Sequence, residues 1–318
     1  MLAVPDATTL LDLPANPRPA GAVCEMIRAA DGVGLRTAHW PALTPRPKGT
    51  VCLFHGRSEF IEKYYEVIRD LRARGFAVAT LDWRGQGGSD RLIEDGRLGH
   101  IADFSHFARD LDAFIRQIAL PECPSPFFAL AHSMGASILF AHLAERSPWF
   151  ERMVAIAPMI DLVGLPPAPR LIARSLCGVG LSRRLVPGWS PKPVVLRPFE
   201  GNPVTSDRTR YAHAAAVAEA APKLAIGGPT IGWVRAAFRA MDTLGDPGFG
   251  QDWRMPTLAV LAGEDRVVST LAAESFVRKL RATRAVTVPG ALHEVMQERD
   301  GLRDRFWAAF DAFVPGRG

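Results

Sequence analysis

The run Phe127-Phe128-Ala129-Leu130-Ala131-His132-Ser133-Met134-Gly135-Ala136 constrains this chain more than any other. An apolar stretch of strand length stops at a serine, and a helical pattern leaves directly after it. Small residues stand two places before and two places after the serine, at Ala131 and Gly135. They let a strand and the next helix pass closely across a sharp turn, with the hydroxyl exposed at the sheet edge. This is the sequence pattern of a nucleophile elbow, usually written Gly-x-Ser-x-Gly. Ala131 departs from that pattern by a single methyl group.

The surroundings repeat the same strand–helix alternation. Strands are expected over 50–54, 76–82, 127–131, 153–157, 258–261 and 285–288. Helices are expected over 63–74 (closed by Gly75), 104–120 (stopped by Pro121), 134–145, 271–281 and 302–313. Segments 23–27 and 35–40 flank Asp31-Gly32-Val33-Gly34 as a hairpin. Alternation of this kind predicts an α/β fold with a mostly parallel sheet covered on both faces. It breaks between about 159 and 251, where proline and glycine are frequent and the clearest helical patterns cover 208–221 and 231–244. We therefore expect a loose lead-in over 1–20, a core from 21–158 and 253–318, and a helical cap inserted over 159–252, above the strand ends where ligands bind in such sheets.

Composition narrows the class of molecule. At 48% hydrophobic and 22% charged residues, the chain is not disordered as a whole. No apolar run approaches the roughly 18 residues of a bilayer-spanning helix. The first 21 residues lack a basic stretch before an apolar one, so no secretory signal is expected. Cys24, Cys52, Cys123 and Cys177 are scattered, which fits a reduced, cytoplasmic setting. The net charge is +5, and 160–252 carries eleven Lys/Arg against seven Asp/Glu. That bias suits peripheral contact with an anionic membrane surface, such as the inner face of the membrane. It is equally the mark of solvated surface charge in an arginine-rich chain. No motif points to nucleic acid, and the oligomeric state is left open.

Serine is a weak nucleophile unless a base lies within hydrogen-bond reach and a third group orients that base. It also needs donors for the oxyanion. Asp265 follows the 258–261 strand and His293 follows the 285–288 strand, so both fall at the same sheet edge as Ser133. Glu264 is a rival for the orienting acid, and Ser133 read alone would serve as a helix N-cap. His55, after a buried strand, is expected to hold its loop through hydrogen bonds, and His132 to pack. No histidine has metal-ligand spacing with acidic companions, so no metal and no cofactor are expected. The glycines of Asp82-Trp83-Arg84-Gly85-Gln86-Gly87-Gly88-Ser89 read as a structural turn. Trp233, Phe238 and Met241 fall at helical spacing, as cap core or as lining of an acyl pocket.

Three motifs occur together: His55-Gly56-Arg57-Ser58-Glu59, Asp82-Trp83-Arg84-Gly85-Gln86-Gly87-Gly88-Ser89-Asp90 and Ala131-His132-Ser133-Met134-Gly135. The combination resembles the monoglyceride lipase and lysophospholipase branch of the α/β-hydrolases. The string from His55 through Phe60-Ile61-Glu62-Lys63-Tyr64-Tyr65 is similar to bacterial lysophospholipase L2 proteins. The resemblance covers roughly 21–158 and 253–315, and the insertion matches only in position and helical character. It implies an α/β-hydrolase fold with Ser133 as nucleophile, His293 as general base and Asp265 as its orienting partner. It also implies backbone oxyanion donors at Arg57 and Met134, and a single-chain lipid ester, lysophospholipid or monoacylglycerol, as the substrate. A thioesterase, an acyltransferase, a proline-type aminopeptidase or a non-catalytic binding protein would share the fold.

Overall fold

The computed structural model describes residues 8–143, 149–164 and 168–314. Eight strands form one sheet in the order β1-β2-β4-β3-β5-β6-β7-β8. They are β1 (Val23–Arg28), β2 (Gly34–Trp40), β3 (Thr50–Phe54), β4 (Ala77–Leu81), β5 (Phe127–His132), β6 (Arg152–Ile156), β7 (Thr257–Ala262) and β8 (Thr283–Val288). β1 pairs antiparallel with β2, and β2 with β4; every other pairing is parallel. The expected hairpin and parallel core are both present. All residues of β3, β4, β5 and β7 are buried, as strands covered on both faces must be.

Helices α1 (Tyr65–Ala73), α2 (His106–Phe114), α3 (Leu120–Glu122), α4 (Met134–Leu143), α5 (Ala168–Gly178), α6 (Arg208–Ala220), α7 (Ile231–Gly245), α8 (Thr270–Lys279) and α9 (Asp300–Phe313) complete the described residues. α1 turns Val67, Ile68 and Leu71 inward and stops at Gly75 with φ +91°. There Gly75 N–H donates to Arg72 and Phe76 N–H to Leu71, the paired bonds of a glycine-terminated helix. The helix expected over 104–120 is not continuous. α2 passes at Ile115 into a wider π turn that runs to Ala119, and α3 carries Pro121 before the chain turns at Cys123. The expected end of the helix after Ser133, at 145, lies outside the described residues.

α5, α6 and α7 lie between β6 and β7 and form the helical insertion. Asp207 caps α6 by accepting from Arg210 N–H at 2.9 Å, and Thr230 caps α7 by accepting from Trp233 N–H at 3.1 Å. α7 buries Trp233, Phe238 and Met241 in the main core, where Trp233 meets Phe104 edge-on at 5.9 Å. These side chains join the cap to the body of the molecule.

The order of the strands locates the site. From β3 the chain moves outward to β4, then crosses back to β5 on the other side of β3 and continues toward β8. The direction of winding therefore reverses beside β3. The carboxyl ends of β3 and β5 flank the crevice that such a reversal leaves. His55-Gly56-Arg57 leaves one end and Ser133 the other.

Candidate active site

Ser133 has φ +51°, a left-handed backbone that costs a non-glycine residue free energy and marks a site held under constraint. Its N–H donates to Ile156 O at 2.9 Å, which fixes the turn to β6. Glycine is required two residues on, at Gly135. A Cβ there would stand 2.6 Å from Phe54 O and 2.7 Å from His55 O. Ala131, by contrast, sits inside β5 opposite Phe54 and Ala155, where its methyl group is simply buried.

His293 Nε2 lies 2.9 Å from Ser133 Oγ, and its Nδ1 lies 2.8 Å from Asp265 Oδ2. The two protein spans joining these residues are 160 and 28 positions long, so only the sheet brings them together. Asp265 is oriented before it meets the imidazole, because its Oδ1 accepts from Val267 N–H at 2.8 Å and Val268 N–H at 2.9 Å. Burial pushes the Asp265 carboxyl up, but His293 and those two N–H groups outweigh it and hold it below its ordinary value. An ionised Asp265 accepts from Nδ1, which leaves Nε2 free to accept the serine proton. Glu264 is exposed and takes no part. The β7–β8 side of the site is fastened by Glu298, which accepts from Leu292 N–H at 2.9 Å.

The opposite wall is the turn after β3. A Cβ on Gly56 would lie 3.2 Å from Ser133 Cβ, so the turn abuts the serine. Among the described residues, the N–H groups of Arg57 and Met134 have no protein acceptor. For Met134 this follows from its place as the first residue of α4. The turn itself is tied down. His55 Nδ1 and Gln86 Nε2 reach Gly56 O at 2.8 and 3.1 Å, and Ser58 N–H donates to Gln86 Oε1 at 2.9 Å. The Arg57 side chain runs toward the cap. It donates to Ser58 Oγ at 2.8 Å and Gly227 O at 2.7 Å, and its guanidinium lies over the Trp233 ring at 4.9 Å.

A buried polar cluster behind the site was not legible in the sequence. Glu59 accepts from Gly56 N–H at 2.5 Å, Lys63 Nζ at 2.9 Å and Tyr64 Oη at 2.8 Å. Lys63 also bonds Glu294 at 2.5 Å, across 231 positions. His132 does more than pack. Its Nε2 lies 3.2 Å from His293 O and its Nδ1 3.3 Å from Glu59, and the two imidazole rings stand 4.8 Å apart. Burial lowers the His132 pKa, but Glu59 outweighs it and raises it. The Glu59–Lys63 spacing of four was the one available signal, and it is also the spacing of ordinary helix-surface pairs. Among the described residues, no group of three or more His, Cys, Asp or Glu is placed to hold a metal ion.

This sheet order, with a serine, a histidine and an aspartate bonded in series at its switch point, defines a serine hydrolase of the α/β-hydrolase superfamily. The family model described as "Serine aminopeptidase, S33" matches residues 45–300. Lysophospholipase L2 of Escherichia coli (strain K12) is 32% identical over 273 residues, 80% of this chain and 76% of that protein. Monoacylglycerol lipase of Mycolicibacterium smegmatis is 26% identical over 79% of this chain and 83% of that protein. In fold, the chain matches a soluble variant of monoglyceride lipase from Saccharomyces cerevisiae with a TM-score of 0.74 at 20% identity, covering 94% of this chain and 98% of that one. The chain belongs to the α/β-hydrolase superfamily, in its monoglyceride lipase and lysophospholipase L2-like branch of serine hydrolases.

Proposed function

We propose that this protein cleaves the ester of single-chain lipids, lysophospholipid or monoacylglycerol, through an acyl-enzyme. The observation that carries this reading is the bonded series Ser133–His293–Asp265 beside two N–H groups that lack protein acceptors. Ser133 Oγ attacks the acyl carbonyl as its proton passes to His293 Nε2. The developing oxyanion is received by Arg57 and Met134 N–H. The alcohol leaves with the proton from His293, and a water deprotonated by His293 then releases the fatty acid. No cofactor enters these steps.

The aminopeptidase alternative calls for an acid that binds a substrate amine. Glu59 is the acid beside the turn, and Lys63, Tyr64 and Gly56 already engage it. We further propose that residues 159–252 act as the cap over the acyl chain and touch an anionic membrane surface from the cytoplasmic side. Seven of the twelve exposed large apolar side chains among the described residues belong to that insertion, and its charge is net basic.

Ser133→Ala should abolish fatty-acid release from lysophosphatidylcholine and from a monoacylglycerol while the fold persists. A fluorophosphonate probe should label Ser133 in the wild type. Undiminished turnover in the variant, or an unlabelled serine, overturns the assignment.

A further inference from the structure

Most interior cations of this protein meet carboxylates, while Arg72 and Arg91 are satisfied by backbone carbonyls. Arg36 meets Glu62 at 2.8 Å and Asp82 at 2.6 Å, and Arg84 meets Asp31 at 2.7 Å and Asp110 at 2.6 Å. Lys63 meets Glu59 and Glu294, and Arg303 meets Glu66 and Asp70. This is expected, because a buried charge is costly unless an opposite charge and hydrogen bonds satisfy it.

Arg57 differs from all of these, because its buried Nε meets neither a carboxylate nor a carbonyl. Among the described residues no carboxylate is paired with it. Its acceptors, Ser58 Oγ and Gly227 O, are both neutral. Its Nε is buried and has no acceptor at all. A guanidinium offers five N–H donors in a rigid fork, and here most of them are unmet. The charge that does reach it is of its own sign. Burial first, and Arg197 second, push the Arg57 guanidinium down to about 9. Arg197 lies over Trp189 at 5.2 Å and likewise has no ion pair among the described residues. Two cations backed by two indole rings, with no acid to neutralise them, form a place where an anion relieves both.

The position says which anion. On the hydrolase reading, the Arg57 N–H is an oxyanion donor, and its side chain reaches from there to Gly227 and Trp233 of the cap. A carboxylate product would stay at Ser133, beside the backbone of Arg57 and not at its side-chain tip. In a lysophospholipid the glycerol separates the ester from the phosphate, so one group sits at the backbone N–H while the other meets the guanidinium. Phosphate oxygens match the arginine fork and accept two parallel hydrogen bonds.

We propose that the Arg57 side chain, assisted by Arg197, anchors the phosphate of a single-chain phospholipid and so sets the preference for lysophospholipid over monoacylglycerol. This rests on the hydrolase reading above. It makes Arg57 a specificity residue through its side chain, separate from the backbone donor that any non-proline residue supplies.

The test compares kcat/KM for lysophosphatidylcholine and for a monoacylglycerol of the same acyl chain in wild type, Arg57→Gln, Arg57→Lys and Arg197→Gln. The ratio of the two values should fall at least tenfold in Arg57→Gln, less in Arg57→Lys, and in the same direction in Arg197→Gln. Glycerol 3-phosphate should compete with the monoacylglycerol in wild type and lose that competition in Arg57→Gln. If Arg57 is only a strut for the cap, through Gly227 and Trp233, both substrates decline together and the ratio stays within threefold; that result overturns the proposal. So does competition by glycerol 3-phosphate without any change in the ratio, which would mark a site for free phosphate esters. If Arg57→Gln does not fold, the exposed Arg197 carries the test, and an unchanged ratio in Arg197→Gln overturns the proposal. Ser133→Ala is the control for the underlying reading: turnover surviving there refutes the hydrolase assignment and not the anchor alone.

Discussion

Asp265 shows how a loop prepares one side chain for chemistry. Two N–H groups of its own loop fix one carboxylate oxygen, so the other faces His293 before any substrate arrives. Asp265→Asn keeps the shape but presents an amide to Nδ1, which favours the imidazole tautomer that cannot accept the serine proton. We expect kcat on a short p-nitrophenyl ester to fall by roughly four orders of magnitude, with the melting temperature little changed. A loss under tenfold would mean that another group orients His293. The sequence left Glu264 as a rival until the family resemblance pointed to Asp265, and the structure separates them by exposure. Glu59 and His132 were harder to read. Glu59 is held by Gly56 N–H, Lys63 and Tyr64, and His132 by Glu59 and the His293 carbonyl, and nothing in the local pattern distinguishes a buried glutamate that holds a turn from a solvated one.

At the scale of elements, the turn at Ser133 forms because α4 approaches β3 without a side chain between them. Gly135 provides that approach. Gly135→Ala would place a methyl group against the carbonyls of Phe54 and His55, which are backbone and have no rotamer to change. Overpacking of this kind typically costs about 1–3 kcal/mol. Urea denaturation should show that loss, and turnover should fall further than stability explains, since the displaced turn carries the Arg57 N–H. An unperturbed midpoint would show that α4 can shift freely. Most strands and helices were evident from periodicity and from their glycine and proline stops. The π turn over Ile115–Ala119 was not, because its residues keep a helical hydrophobic pattern while the backbone takes a wider turn. α5 also escaped, in a segment where prolines and glycines obscure the period.

For the whole molecule, we propose that the outer face of the cap governs how the protein meets a lipid surface. Leu171 and Ile172 on α5 are 67% and 55% exposed, and Val179 just beyond is 72% exposed. A groove of about 750 Å³ between α5 and α7 is lined by Arg170, Arg174, Arg235, Arg239 and Asp242 beside Leu171 and Phe238, with Arg170 paired to Asp242 and Arg239 to Asp103. Apolar side chains amid cations suit a surface of anionic lipid. Replacing Leu171 and Ile172 together by serine should weaken sedimentation with phosphatidylglycerol vesicles at least tenfold, since each such side chain is worth about 1.5–3 kcal/mol when fully buried. Added salt should weaken binding of the wild type as well. A wild type that ignores anionic vesicles at low salt would remove the membrane from the account. No helix among the described residues is long and apolar enough to cross a bilayer.

The sequence by itself determined the α/β alternation, the elbow at Ser133, the candidates Asp265 and His293, and the place of the insertion. These rest on local periodicity, on turn chemistry and on the position of residues just past strand ends, all of which act over short stretches of chain. Tertiary structure alone decided the rest. It joined Lys63 to Glu294, set Gly56 against Ser133 and, among the described residues, left the Arg57 guanidinium without an acid. Each of those facts depends on which distant groups share a low-dielectric interior, where the pairing or orphaning of a charge matters most. Chain order carries no record of that pairing.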